Sequence, residues 1–544
     1  KAQASMAWAR SRGACRAEGR GGSHSRSHVI GHRAAPLAAA LVLVACCWLW
    51  LEPVAPARPP LLAFGCQSSD CRQHRAHPSA GGHSFGRLRG ARVARPRVCG
   101  GPAKAAASGP SEDVKAESEA ADIRLSSPLQ SWLNLFKSLL GSGNLALPSA
   151  IAVYSGSRKA VVPAIGLALL FNVLSAYGFV LISRICEATK TDSYQDAWSK
   201  SVSPGSSWLP ATAVLGKTWL ACVSYLMIMG DCTSMVLLPM GVPEWLAGRG
   251  SVIVGVTSFL LLPLCCLKSM APLAKFSVVG ILSAFYCLFV VAFRCISGSY
   301  AAGPLLAAAP HAPKFVPFAG NALMTAATPA SSVLIATLAY AYTNHYSSPQ
   351  FYSELEPDSN GSRTSRMRRV TYTAFLGGWV FFAIVMSCGF LTFGANSQGM
   401  ILNNYALIDK LAVPARLALS MSMLASFPII FASFKAGLVR AIGGSAERFQ
   451  QSKPITFTVA LLLTIVPTAL QLRDLGVLAA FSGAILASYI VYIAPSLMAI
   501  CARRRGLLKG SGGRGALLES VLQYTLVASG IVLGVVGAVQ ALPK

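Results

Sequence analysis

From residue 131 onward, apolar residues come in long continuous runs, without the every-second-residue alternation of a half-buried strand. About 20 apolar residues are needed for a helix to cross a bilayer. Only helices or closed barrels satisfy their backbone groups there, and unbroken runs exclude a barrel. The pattern predicts eleven spans: Ser131–Tyr154, Ala160–Ser183, Ala211–Leu238, Ser251–Leu267, Phe276–Ile296, Ser331–Leu355, Val370–Phe393, Arg416–Leu438, Pro454–Leu472, Gly476–Cys501 and Ser520–Leu542. The expectation is an all-α integral membrane protein of about eleven transmembrane helices.

Two of these spans are interrupted. The first, SWLNLFKSLLGSGNLALPSA, holds Gly141, Gly143 and Pro148 within eight positions, with Lys137 just before them. Gly-x-Gly bares backbone groups, and Pro148 removes a donor and clashes with the Asn144 carbonyl. In the sixth, ATLAYAY runs into a polar stretch, Thr343-Asn344-His345-Tyr346-Ser347-Ser348, that ends at Pro349. Opened backbone in hydrocarbon survives only where it lines a polar cavity or is buried in protein. Five helices separate the two interruptions, the spacing of two five-helix units related as an inverted repeat, and matching breaks point to a transporter's central site. Freed N–H groups attract a carboxylate, and bared carbonyls attract an ammonium or a cation. Glycines also let membrane helices pack closely, and a single proline also makes a mere kink. Spacing alone leaves both readings open.

Composition narrows the class. Of 544 residues, 53% are hydrophobic and 12% charged, against about 25% charged in ordinary soluble domains. Too few charges remain to cover the surface in water, so the surface must face lipid. Despite a net charge of +27, a soluble enzyme or a nucleic-acid-binding protein is excluded. With the N-terminus on the cytosolic side, the even-to-odd connections hold eighteen Lys and Arg against nine on the other side, a usable orientation signal. It places the C-terminus outside and the Asn360 sequon inside. Most cysteines sit in apolar runs, no metal-spaced Cys pair occurs, and neither cofactor nor metal is expected. Residues 1–127 read as a targeting or disordered region. The apolar run Pro36–Leu51 follows a basic stretch and precedes Ala55-Pro56-Ala57, and residues 64–110 are rich in Arg, Ser, Gly, Ala and His. Signal followed by transit composition suits a bipartite leader to a plastid envelope; an unstructured basic tail is the alternative, with a vacuolar or plasma membrane as destination. The chain begins at Lys1, with its first methionine at Met6, so a start further upstream is expected.

Here the motifs become recognisable. NLFKSLLGSGNLALP resembles the first-helix signature of the amino acid/auxin permease family, and AYTNHYSSPQFYSELE its sixth-helix motif. MRRVTYTAFLGGWVFFAIVMSCGFLTFG with ILNNY is similar to its seventh helix and exit loop, and Ile228–Asp231 to the end of its third. The resemblance covers roughly residues 128–500. It implies ten helices in two inverted five-helix repeats plus one extra, forming a transporter domain over 128–544 that carries small neutral amino acids by alternating access. By motif, Gly141, Ser142, Gly143 and Asn144 would offer backbone to the substrate carboxylate, and Tyr342, Thr343, Asn344 and His345 would form the facing break. Sodium-coupled members usually place Asn before the first-helix glycines and Thr in helix eight. Here Lys137 follows Asn134, and helix eight offers Ser422 and Ser426. An ammonium there would repel sodium or stand in for it, so proton coupling or exchange is expected rather than sodium symport.

Asp231 is an intramembrane acid, a functional candidate by default, or a helix-end acid near the interface. His345 could be a proton-linked gate or could simply bond opened backbone. Arg503–Arg505 read as orientation charges, and Trp208, Trp219 and Trp245 as interfacial anchors. With no phosphate-binding loop motif, ATP drive is not expected. An amino-acid sensor without net transport is the competing function. A channel lacks its ring of charges. Neither the amino acid nor the oligomeric state is legible.

Overall fold

A computed structural model describes residues 125–267, 277–316, 328–358, 361–442, 444–508 and 514–541. The leader run, the transit-like stretch and the Asn360 sequon lie outside them. Among the described residues the fold is all-helical, with two isolated bridges, Ser126 to Leu355 and Lys314 to Gly394. The principal helices are α1 (Pro128–Leu139), α2 (Leu147–Tyr154), α3 (Val161–Thr189), α4 (Trp208–Leu237), α5 (Arg249–Cys265), α6 (Ser277–Ile296) and α7 (Ser331–Ala341). Then come α8 (Ser348–Glu354), α9 (Thr364–Phe393), α10 (Ala412–Ile442), α11 (Pro454–Gln471), α12 (Leu475–Arg504) and α13 (Arg514–Ala541). Eight described helices are long and apolar enough to cross a membrane, and α5 is a shorter apolar helix. The first and sixth expected spans are each two short helices joined by an opened segment: α1 with α2, and α7 with α8.

Local chemistry sets the ends. Ser127 caps α1, its hydroxyl accepting from the Gln130 amide at 3.3 Å, and Pro128 fills the first turn, where no donor is needed. Asp474 caps α12, accepting from the Gly476 amide at 2.7 Å. Lys190 ends α3 in the left-handed conformation, φ 50°. Helix α10 lies along α4 and α6, while α9 lies along α3 and α1. One buried apolar cluster joins α4, α5, α10 and α11; a second joins α1, α2, α3, α7 and α9. Large apolar side chains face outward around the bundle, among them Phe259, Val162 and Leu518. In water such a surface would aggregate; in a bilayer it is solvated.

Two sequence expectations change. Trp219 is buried, not interfacial: its indole N–H donates to Thr464 Oγ1 at 3.2 Å, because position 219 faces α11. Trp208 and Trp245 are exposed. Arg416, counted as a connection charge, is fully buried and donates to the carbonyls of Leu402 at 3.0 Å and Tyr405 at 2.7 Å. Arg503 joins Arg184 on one carboxylate, Glu519, at 3.2 and 2.7 Å, pinning α3, α12 and α13 together.

The loop after α9 is held by a second, half-buried cation. Arg294 pairs with the fully buried Asp409 at 2.5 Å, and the Tyr300 hydroxyl donates to the same carboxylate at 2.8 Å. Burial alone would raise the Asp409 pKa. Hydrogen bonds from Arg294, the Leu411 amide and Tyr300 outweigh it and hold the carboxyl below the usual carboxylate range. A depressed folded pKa adds stability above the unfolded value of about 3.9, and that stability is lost as pH falls through the folded value. Hydrogen exchange at residues 401–411 should therefore rise below about pH 4. In Asp409→Asn it should already be fast at neutral pH, with thermal stability lower by about 1–3 kcal/mol, the cost of leaving a half-buried Arg294 without its carboxylate. Unchanged exchange in that variant would contradict this account.

Candidate functional site

The two opened segments lie against each other. After α1, Gly141 is extended (φ −80°, ψ −167°) and residues 142–146 form one tight turn leading into α2. After α7, the Tyr342 amide still reaches Leu338 O at 2.9 Å, but Asn344 (φ −137°, ψ 14°) leaves the helical path. A Cβ placed on Gly143 would lie 2.8 Å from Ala341 Cα and 2.9 Å from the Tyr340 ring, so only glycine allows this approach. Asn344 Nδ2 donates to Ser138 Oγ at 2.7 Å, tying the second break to the end of α1.

Between α1, α4, α6, α7 and α10 lies a cavity of about 300 Å³. Of the expected residues, it is lined by Asn134, Lys137, Gly141, Ser142, Gly143, Thr343, Asn344, Ser422 and Ser426. Four others are directed elsewhere. Asn144 is buried beside a separate narrow void. Tyr342 is sealed against Phe375 and Phe382. His345 is fully buried, its Nε2 2.8 Å from Ser175 O, with Phe179 and Phe375 edge-on to its ring. The opened chain sends Thr343 and Asn344 to the cavity and their neighbours Tyr342 and His345 away from it. Asp231 is remote from the cavity, paired with Arg249 at 2.5 Å and accepting from Asn403 Nδ2 at 3.2 Å.

Lys137 reaches the junction of α1, α6 and α10. A Cβ on Gly280 would sit 3.2 Å from Ser422 Oγ, 3.3 Å from Lys137 Cε and 3.9 Å from Lys137 Nζ. The absent side chain at Gly280 thus makes room for the lysine stem. Two residues were overlooked in the sequence. Lys217 of α4 lines the cavity, 6% exposed, with Nζ 3.3 Å from the centroid of the Tyr340 ring. The Tyr340 hydroxyl lies 3.2 Å from Ser224 Oγ and 3.3 Å from Ser142 Oγ, which are 3.0 Å apart. A basic residue inside an apolar span was the available signal for Lys217. Tyr340 carried none.

The lining continues through Tyr346, Ile429 and Ile430 toward a second hollow of about 430 Å³ bounded by Tyr346, Gln350 and Arg440. Elsewhere the lining includes Gly143 and Ala341, which meet in the contact between the breaks. Beyond it, Arg249 donates to the carbonyls of Ala469 at 3.1 Å and Leu472 at 2.8 Å while pairing with Asp231. A polar chamber between two facing breaks, inside an apolar helical bundle, is the architecture of a membrane transporter.

The comparisons agree. The chain belongs to the transmembrane amino acid transporter family, whose model matches residues 124–542. It is a multi-pass membrane protein of amino acid transport and not an enzyme. It is 26% identical over 368 residues to sodium-coupled neutral amino acid transporter 11 of Rattus norvegicus, covering 67% of this chain and 75% of that one. It is 24% identical over 370 residues to vacuolar amino acid transporter 5 of Schizosaccharomyces pombe (67% and 82% covered) and 24% identical over 424 residues to amino acid transporter AVT6E of Arabidopsis thaliana (75% and 81%). Among solved structures it is similar to MhsT in complex with L-phenylalanine, with 14% identity, a TM-score of 0.47, and 77% and 99% of the two chains covered.

Replacing Gly143 with valine should lower amino acid uptake by reconstituted protein more than about tenfold, since overpacking of about 1–3 kcal/mol falls on the contact between the breaks. Normal uptake by a folded Gly143→Val protein would show that this contact is dispensable.

Proposed function

We propose that the protein moves small amino acids across a bilayer by alternating access, with the 300 Å³ chamber as its central site. The observation that carries this reading is the contact of the two breaks at Gly143 and Ala341. Amides of the 142–146 turn offer donors to a carboxylate, and the carbonyl ends of α1 and α7 offer acceptors to an ammonium. Eleven spans, ten of them as two inverted five-helix repeats, suit the order of the helices. The chamber leads toward the face richer in Lys and Arg, which fits a state open on that side. The bonds joining the breaks to α4, Tyr340 and Ser142 with Ser224, are those that must part when the chamber reopens on the opposite side.

Coupling to protons, or amino acid exchange, fits better than sodium symport. Lys137 brings a positive charge to the α1–α6–α10 junction beside Ser422. Two unit charges about 4 Å apart repel by about 4 kcal/mol at an effective dielectric of 20, enough to exclude a sodium ion from that corner. The name of the yeast relative supports a vacuolar membrane, whereas the leader composition supports a plastid envelope; imaging of a C-terminally tagged full chain separates the two.

In proteoliposomes, uptake should persist when choline replaces sodium and should respond to a pH gradient or to amino acid inside. Lys137→Gln should weaken the pH response and introduce sodium stimulation. Strict sodium dependence without a pH response in the parent protein would overturn the coupling proposal, and saturable binding without passage would favour a sensor.

A further inference from the structure

The charge of the chamber points to its cargo. Lys217 is buried beside the breaks, and Lys137 brings a second positive charge to the same lining. No Asp or Glu is among the lining residues, and among the described residues no carboxylate forms an ion pair with Lys217. Its ammonium lies instead on the face of the Tyr340 ring. That contact returns much less than burying a charge costs. A zwitterion with one carboxylate uses it on the turn amides and leaves Lys217 as it was.

We propose that the cargo is an acidic amino acid, whose side-chain carboxylate pairs with Lys217 while its α-carboxylate meets the 142–146 turn. The inference rests on the transporter reading and deepens it. Geometry supports the pairing: the ring beneath Lys217 Nζ carries the hydroxyl that lies 3.3 Å from Ser142 Oγ. One tyrosine ring therefore separates the ammonium from the first break, a span suited to the distance between the two carboxylates of a short amino acid. A cavity of about 300 Å³ is at the lower end of ligand pockets, room for one such molecule. Neutral side chains could enter but would strand the ammonium, and lysine or arginine would add a third positive charge.

The test is counterflow of radiolabelled amino acids in proteoliposomes made with the full chain. L-Glutamate or L-aspartate should compete at concentrations about tenfold or more below L-glutamine, L-alanine or L-lysine, as expected where a buried polar group of the site would otherwise go unpaired. Lys217→Gln should abolish that preference, and Lys217→Arg should keep it, a pattern that a merely structural lysine would not produce. If the Gln variant does not fold, the competition order of the parent protein decides alone. Exchange of neutral amino acids with no acidic preference would overturn this inference and leave the transporter reading standing. Retention of the preference in a folded Lys217→Gln protein would also overturn it. No amino acid exchange at all by folded parent protein would overturn both.

Discussion

Unbonded peptide groups cannot be left in hydrocarbon, and the arrangement of this bundle follows from that constraint. Each break bares several amides and carbonyls at mid-helix. The structure places the two breaks against each other, so that each faces protein or the polar chamber and not lipid. The approach depends on a missing side chain, since Gly143 touches Ala341 where any Cβ would collide. Helices α3, α4, α9 and α10 then act as walls around the pair, and their packing faces follow from where the breaks must be enclosed.

Charge within this shell is handled in two ways. Where the fold needs rigidity, cations have fixed protein partners: Arg416 on loop carbonyls, Arg294 on Asp409, and Arg249 on Asp231 and two carbonyls at the end of α11. These clamps hold the loops opposite the open end of the chamber. Lys217 is held differently, among the described residues by the face of an aromatic ring. A cation on a ring gives up little when an anion arrives, whereas one in a salt bridge would have to break it. The same residue type thus has different consequences depending on whether its partners are permanent.

The Ser142, Ser224 and Tyr340 hydroxyls show how the two halves communicate. Each belongs to a different helix system, the first break, α4 and the end of α7, and each bonds the other two. Hydroxyls can serve as donor or acceptor, so such a cluster can re-form in another geometry without stranding a polar group. It sits where rigid walls meet opened segments, the place where a transporter needs bonds that can be exchanged.

Apolar run length alone located the helices, because the bilayer imposes one thickness on every span and needs no partner to be known. Gly141, Gly143, Pro148 and Pro349 likewise made both breaks legible, since their effect on backbone is local. Lysine in place of a neutral first-helix residue could also be read directly. What could not be read was direction. Tyr342 and His345 looked like site residues, yet they turn into the aromatic packing between α3 and α9 while Thr343 and Asn344 line the chamber. A regular helix or strand repeats its side-chain directions, so a pattern can be extrapolated; an opened segment has no period, and its neighbours choose for it. Trp219 and Arg416 changed roles for a related reason, because an apolar span does not announce which of its faces meets protein and which meets lipid. Only the tertiary structure set Lys217 of α4 over Tyr340 of α7, joining residues more than a hundred positions apart that carry no mutual signal along the chain.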